Sequence, residues 1–430
     1  MKRDVKPGFL VPPNRPLRPA AHGWATAVLL TERWLARNER VDSLLEGLMP
    51  GLPAQERARA QHLFYGVVRW FSRLDSALTG LMGRAPRTKV RALLLVAGFE
   101  IIEGGTAAQV VHHAVGQAKT LASDKEAGLV NAVARKMAAR LAEPGVTLAE
   151  EFAHPAWLVA RWLRQFGPDP TRRLLAWNQQ PAPVYARWRA AALPVPEFLA
   201  PTRWNGFYEI QAGHWDEVRQ LAEAGSLYLQ DPSTRLCVEL LVPRPKETVL
   251  DACAAPGGKS LLIADAMQTG RLVALDEEGP RLARLRENLN RAPPTLTVAL
   301  MPGDLQVSGP PFFKAFNLPE IYDAVLLDAP CSNTGVMRHR IDVKWRLQEG
   351  DIAQHARQQL ALLHAATRLV ADGGRLVYST CSLEAEENEG VIRAFFASRA
   401  GGAFRLERQI LATPWADGHD GAGAFLLQKR

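Results

Sequence analysis

Thr248-Val-Leu-Asp-Ala-Cys-Ala-Ala-Pro-Gly-Gly-Lys-Ser260 decides the fold. Val249-Leu250-Asp251 reads as a short buried strand, Asp251 to Ser260 as a Gly-rich turn, and Ser260 to Met267 as an apolar helix. Downstream the same rhythm repeats. Strands are predicted at Arg271–Asp276, Thr297–Met301, Tyr322–Asp328 and 374–379, with helices ending at Asn290 and spanning Asp351–Val370. Strands alternating with helices give an α/β domain with a mostly parallel sheet.

The turn is not the dinucleotide GxGxxG, because only Gly257 and Gly258 are present. The phosphate-loop spacing GxxxxGK fails as well, since no glycine stands five residues before Gly258. A Pro256-Gly-Gly-Lys259 turn after a strand instead suits S-adenosylmethionine, whose methionine end carries charge but no phosphate. Asp276 ends the second strand, where a carboxylate can bind both ribose hydroxyls, and Asp304 follows the third, placed to meet the adenine. Each is also a common turn or cap residue. Their recurrence at consecutive strand ends favours the cofactor.

Upstream, residues 1–20 form a basic, Pro-rich arm with Lys2, Arg3, Lys6, Arg15 and Arg18, either a plain terminus or a phosphate contact. Residues 21–145 read as all-helical, with Leu44, Leu48, Leu63, Val67, Val68 and Trp70 recurring at three- and four-residue spacing. Residues 146–230, rich in proline and tryptophan, read as a small α+β connector. Its aromatics beside Arg161, Arg172, Arg173, Arg187 and Arg189 suit either core packing or stacking on RNA bases, and packing is the commoner use. Residues 231–430 hold the α/β domain.

A net charge of +8 and a pI near 9.5 fit solubility or a polyanionic partner. Four cysteines, none in a CxxC or Cys/His cluster, exclude a disulfide framework and a zinc site, and no metal is expected. No apolar run approaches the ~18 residues a membrane span needs. The N-terminus lacks a signal-peptide core, and reactive thiols survive in a reducing compartment, so a soluble cytoplasmic protein is expected. Without heptad repeats or an evident protein partner, a monomer is expected.

Asp328, Cys331 and Cys381 fall at or just past strand ends, on the same rim as the turn. A thiolate adding to carbon 6 of a pyrimidine makes carbon 5 nucleophilic toward a methyl sulfonium. An acidic group at ring nitrogen 3, here Asp328, stabilises that adduct. The base must be flipped or single-stranded to reach such a pocket. Strand-end placement leaves both Cys331 and Cys381 as candidate nucleophiles. Cys237 and Cys253 read as buried packing residues.

The strings DACAAPGGKS (251–260), DAPCSNTG (328–335) and VYSTCSLEAEEN (377–388) together resemble the RsmB/Sun (Fmu) family of RNA (cytosine-C5)-methyltransferases. Gln61-His-Leu-Phe-Tyr-Gly-Val-Val-Arg69 and Gly128-Leu-Val-Asn-Ala-Val-Ala-Arg135 resemble the NusB-like RNA-binding domain attached to its bacterial members. His154-Pro-Ala-Trp-Leu-Val159 and Tyr228-Leu-Gln-Asp-Pro-Ser233 resemble the connector. The likeness spans nearly the whole chain. It implies a NusB-like domain, a small connector and a Rossmann-like class I methyltransferase domain, with rRNA as partner and S-adenosylmethionine as cofactor.

The resemblance also assigns attack to Cys381 and product release to Cys331, and places Lys259 and Asp328 in the active site. Cys253, Ala254, Ala255, Pro256, Gly257, Gly258 and Lys259 would line the methionine end mostly through backbone, with Asp276, Asp304 and Asp328 completing the cofactor site. The implied target is a cytosine of bacterial 16S rRNA, of the 967 type. The same chemistry on tRNA or another rRNA site, a non-catalytic RNA-binding assembly factor, and more remotely a DNA methyltransferase remain as rivals. Three segments depart from the family pattern: Arg338-His-Arg-Ile-Asp342, Arg187-Trp-Arg189 and Asp420-Gly-Ala-Gly-Ala-Phe425. All three lie where the chain is expected to touch RNA or shape the pocket.

Overall fold

A computed structural model describes residues 22–37, 39–48 and 51–430. The basic arm of residues 1–20 lies outside the described residues. The chain divides into two compact units, Met1–Ala156 and Trp157–Arg430.

The described part of the first unit is helical, as its periodicity predicts. Its main helices are Gly23–Arg37, Val41–Leu48, Ala54–Arg69, Phe71–Thr79, Thr88–Ile102, Ala107–Leu121 and Asp124–Ala142. Thr88–Ile102 is apolar on nearly all sides, with Val90 and Ala92–Phe99 buried, so it forms the centre on which the others pack. Helix Ala54–Arg69 crosses it at Gly66, where an added Cβ would lie 2.0 Å from the Phe99 ring. Ser123 caps the last long helix by accepting from the Glu126 backbone N–H.

The second unit holds two sheets. The smaller is antiparallel, built from β1 (Tyr185–Trp188), β2 (Leu199–Pro201), β3 (Phe207–Ile210) and β4 (Leu227–Leu229) in the order β2-β3-β1-β4. Ala186, Leu199 and Leu227 form a small apolar core with Val218 of helix Trp215–Glu223.

The larger sheet comprises β5 (Thr248–Ala252), β6 (Gly270–Asp276), β7 (Leu296–Pro302), β8 (Tyr322–Asp328), β9 (Val370–Thr380), β10 (Phe404–Ala412) and β11 (Ala422–Lys429). Their order is β10-β11-β9-β8-β5-β6-β7. The β9-β8-β5-β6-β7 run is parallel, and β11 and β10 close one side antiparallel. The five parallel strands agree with the sequence reading. β10 and β11 were not foreseen, because β10 is an edge strand whose Arg405–Gln409 stretch is exposed and reads as polar chain.

The strand order turns outward from β5, with β6 on one side and β8 on the other. In open α/β sheets ligands bind at such a switch point, outside the carboxyl ends of the strands. The register brings those ends level. Ala252 pairs with Leu275 and Leu327, Asp276 with Pro302, and Asp328 with Ser379. One rim therefore collects residues far apart in the chain. Among the described residues no helix is long and apolar enough to cross a membrane.

Candidate active site

The 253–257 turn leaves β5 with Cys253 and Gly257 both at positive φ, and enters helix Gly258–Met267 directly. Asp276 at the end of β6 holds this turn, its Oδ2 accepting the Ala255 N–H at 2.8 Å. Asp276 is 8% exposed, and its Oδ1 faces only the exposed Arg281 guanidinium at 3.9 Å, so an acceptor remains for a hydroxyl. Behind the turn, the Ser260 hydroxyl donates to buried Asp251 at 2.5 Å. Burial pushes the Asp251 carboxyl up to about 7. Asp304, just past β7, accepts the Gln306 N–H at 2.8 Å, the turn role that an Asp there also suggests.

Helix Gly258–Met267 is braced from the small sheet. Arg187 and Arg189 grip Asp265, with Arg189 donating at 2.8 Å to both carboxylate oxygens and Arg187 at 2.5 Å to one. Both arginines are nearly buried, so they fasten helix Gly258–Met267 to β1 and offer RNA no open face. Arg161 is likewise engaged, paired with Glu384 and Glu386, and Trp162 is fully buried, donating to Glu384 at 3.0 Å. For these residues of the connector, packing is the observed role.

At the ends of β8 and β9 the two thiols meet: Cys331 Sγ lies 3.2 Å from Cys381 Sγ. This proximity depends on Gly335. An added Cβ there would lie 2.7 Å from the carbonyl oxygens of Cys381 and Gly421, while the Gly335 N–H donates to the Cys381 carbonyl at 3.0 Å. Glu387, fully buried, ties both cysteine segments together. It accepts from the Ser332 N–H at 2.9 Å, the Ser332 hydroxyl, the Ser382 hydroxyl at 2.5 Å and Gln359 Nε2 at 3.0 Å. Ser332 and Ser382 are the residues that follow each cysteine.

The two thiols differ electrostatically. The hydrogen bond with Cys381 and burial push the Cys331 thiol well above its ordinary value. Cys381 is more exposed and its Sγ donates to Asn333 Oδ1 at 3.3 Å. Lys259 forms an ion pair with Asp328. Burial opposes the Lys259 charge, but Asp328 outweighs it and holds the group as an ammonium.

A cavity of about 70 Å³ is lined by Lys259, Cys237, Cys381, Asp231 and Asp420. Cys237 is a buried thiol donating to the Thr234 carbonyl at 3.4 Å, its pKa raised by burial to about 11. Asp328, Lys259, Cys331 and Cys381 thus gather where the sequence expected. Asn333, Glu387 and Asp231 were not singled out, and His339 and Asp420 were flagged only within segments expected to touch RNA or shape the pocket. The string DAPCSN carries Asn333 beside its cysteine, and AEEN carries Glu387, but no local spacing relates Asp231 to Asp420.

Comparison with known proteins assigns the chain. Residues 238–412 match the family model of 16S rRNA methyltransferase RsmB/F, and residues 25–139 match the NusB family. "Ribosomal RNA small subunit methyltransferase B" of Proteus mirabilis is 30% identical over 91% of this chain and 94% of its own length. The protein of the same name from Sodalis glossinidius is 31% identical over 84% and 86%. The solved structure of PH0851 shares the fold, with a TM-score of 0.77 at 22% identity over 96% of this chain and 100% of its own. A NusB-like helical unit, a class I methyltransferase sheet and relatives aligned over most of their length agree: the chain belongs to the RsmB/F family of S-adenosylmethionine-dependent rRNA methyltransferases.

Proposed function

We propose that the protein methylates carbon 5 of a cytosine in 16S rRNA, of the 967 type, through a covalent bond between Cys381 and carbon 6. The observation that carries this reading is the pair of thiols 3.2 Å apart, at adjacent strand ends beside the Lys259–Asp328 ion pair. Bound S-adenosylmethionine would supply an electrophilic methyl group. The turn Cys253–Lys259 would hold its methionine end through backbone, Asp276 its ribose and Asp304 its adenine. The buried Asp276 carboxylate, whose Oδ1 is 3.9 Å from the exposed Arg281 guanidinium, fits that group.

Cys381, as a thiolate, forms a bond to carbon 6, and the ring's π electrons shift toward nitrogen 3. A proton held between Lys259 and Asp328 neutralises that nitrogen and is taken back on release. Carbon 5, now enamine-like, accepts the methyl group. Release breaks the carbon–sulfur bond. The Cys331 thiol protonates the departing sulfur and, left as a thiolate, takes up the proton lost from carbon 5. The NusB-like unit would grip RNA through backbone and shape, consistent with the chain's +8 charge.

Cys381→Ala should abolish methyl transfer, whereas Cys331→Ala should accumulate a covalent RNA adduct on denaturing gels. An adduct trapped by Cys381→Ala instead would overturn the division of labour. Bisulfite sequencing of RNA from cells with and without the protein identifies the cytosine. Loss of a methyl mark in tRNA, or at another rRNA position, would replace the 967-type target.

A further inference from the structure

One wall of the cavity is acidic. Asp231 lies just past β4, immediately before the 3₁₀ turn Pro232–Thr234, and Asp420 lies just before β11. Both line the cavity with Cys381 and Lys259. Asp231 is oriented by backbone: its Oδ1 accepts the Ser233 N–H at 2.8 Å and the Asp420 N–H at 3.3 Å. Its Oδ2 is hidden from solvent and has no hydrogen-bond partner among the described residues. Asp420, 5% exposed, is bound to His339 Nδ1 at 3.0 Å. Burial disfavours a charged His339, but the Asp420 hydrogen bond outweighs it and raises its pKa.

A buried oxygen without a partner needs a donor from elsewhere, and a carboxylate accepts only N–H or O–H donors. A flipped cytosine presents an amino group on carbon 4, where uracil presents a carbonyl oxygen. The amine would satisfy Asp231, while the carbonyl would face a carboxylate with nothing to donate. The cavity is several times the ~10–15 Å³ that holds one water, so it is open to more than solvent.

We infer that Asp231 is the cytosine-reading group of this pocket: its free Oδ2 accepts a hydrogen bond from the exocyclic amine of the target base, with Asp420, held by His339, beside it. The inference rests on the cytosine-C5 reading above and deepens it, adding a specificity residue from the connector side to the strand-end chemistry. Discrimination is strong at such a site, because the wrong base leaves a buried polar group unpaired.

The test uses full-length protein and transcribed 16S rRNA carrying cytosine or uridine at the position mapped by bisulfite sequencing. Methyl transfer and adduct formation are measured for wild type, Asp231→Asn and Asp420→Asn. Asp231→Asn keeps an oxygen for the two backbone N–H groups and places an amide donor at the reading position. It should lower kcat/KM on cytosine by about 10²-fold and raise the uridine-to-cytosine ratio at least about tenfold. S-adenosylmethionine affinity and melting temperature should stay at wild-type values. Asp420→Asn should shift the same ratio by less. A cytosine-methylating wild type with an unchanged base ratio in Asp231→Asn would overturn this inference alone. A wild type that methylates no cytosine would overturn the underlying reading, and this one with it.

Discussion

The two ends of the chain are built on opposite principles. The helical unit around Thr88–Ile102 buries mostly hydrocarbon: Leu93, Leu94, Leu95 and Val96 are inaccessible, and Trp24 places its one polar atom on Glu100 at 2.8 Å. The strand-end rim of the large sheet instead buries Asp251, Glu387, Asn388 and Ser382, and largely buries Lys259. A core of hydrocarbon is stabilised by area and volume, tolerating change wherever size is conserved. A buried polar network is stabilised only while every member is satisfied, and it fixes atoms rather than volumes. Placing two sulfurs 3.2 Å apart requires the second kind of packing.

The contrast can be broken at graded depth. The largest effect belongs to Cys381→Ala, where methyl transfer should fall by at least about 10⁴-fold with the urea midpoint unchanged, since the proposed nucleophile takes no part in the Glu387 network. A matching loss of stability would instead place Cys381 among the structural groups. Glu387→Ala should destabilise the second unit by about 3–5 kcal/mol, because it strands the Ser332 N–H, two hydroxyls and an amide. Urea titration followed by fluorescence measures it, and a cost under about 1 kcal/mol would deny Glu387 its tying role.

Asp251 carries a pH signature. Its carboxyl titrates near 7 when folded and near 3.8 when not, so between those values the folded protein keeps a proton that the unfolded chain has released. This contribution to stability is complete below about pH 4, is lost as pH rises toward 7, and is flat above that. Asp251→Asn should flatten the slope by a few kcal/mol across that window, read from urea midpoints between pH 4 and 8. An unchanged slope would show that the carboxyl is already ionised.

Gly66→Ala tests the hydrocarbon side. The added methyl must displace the Phe99 ring, at a cost of about 1–3 kcal/mol, without altering S-adenosylmethionine affinity in the second unit. A calorimetric titration showing weakened cofactor binding would place Gly66 among the groups that support the second unit's site. The smallest effect is expected at exposed Arg219, whose ion pair with Asp216 on the same helix contributes no more than about 0.5 kcal/mol. Arg219→Ala should leave the melting curve in place.

Legibility followed the same divide. The helical unit was readable because a 3.6-residue repeat of Leu, Val and Trp is a local signal. The five parallel strands were readable from short apolar runs followed by turns. β10 was missed because most of its residues face solvent, and β11 because its partners β9 and β10 define it more than its own pattern does. Asp328, Cys331 and Cys381 stood out because each lies at or just past a strand end. Arg187 and Arg189 were left open between two uses for the opposite reason. Basic residues among aromatics fit core packing, the commoner use, but also an RNA surface until Asp265 is seen between them.

The amino-acid sequence by itself determined the helical and α/β halves, the Gly-rich turn between β5 and its helix, and the two cysteines at strand ends. All of these are set by contacts within a few residues along the chain. Only the tertiary structure decided that Gly335 lets those cysteines touch, that Glu387 ties both, and that Asp231 and Asp420 share one cavity wall. Residues up to 189 positions apart meet there, since sheet register and packing, which no local spacing encodes, set which side chains converge.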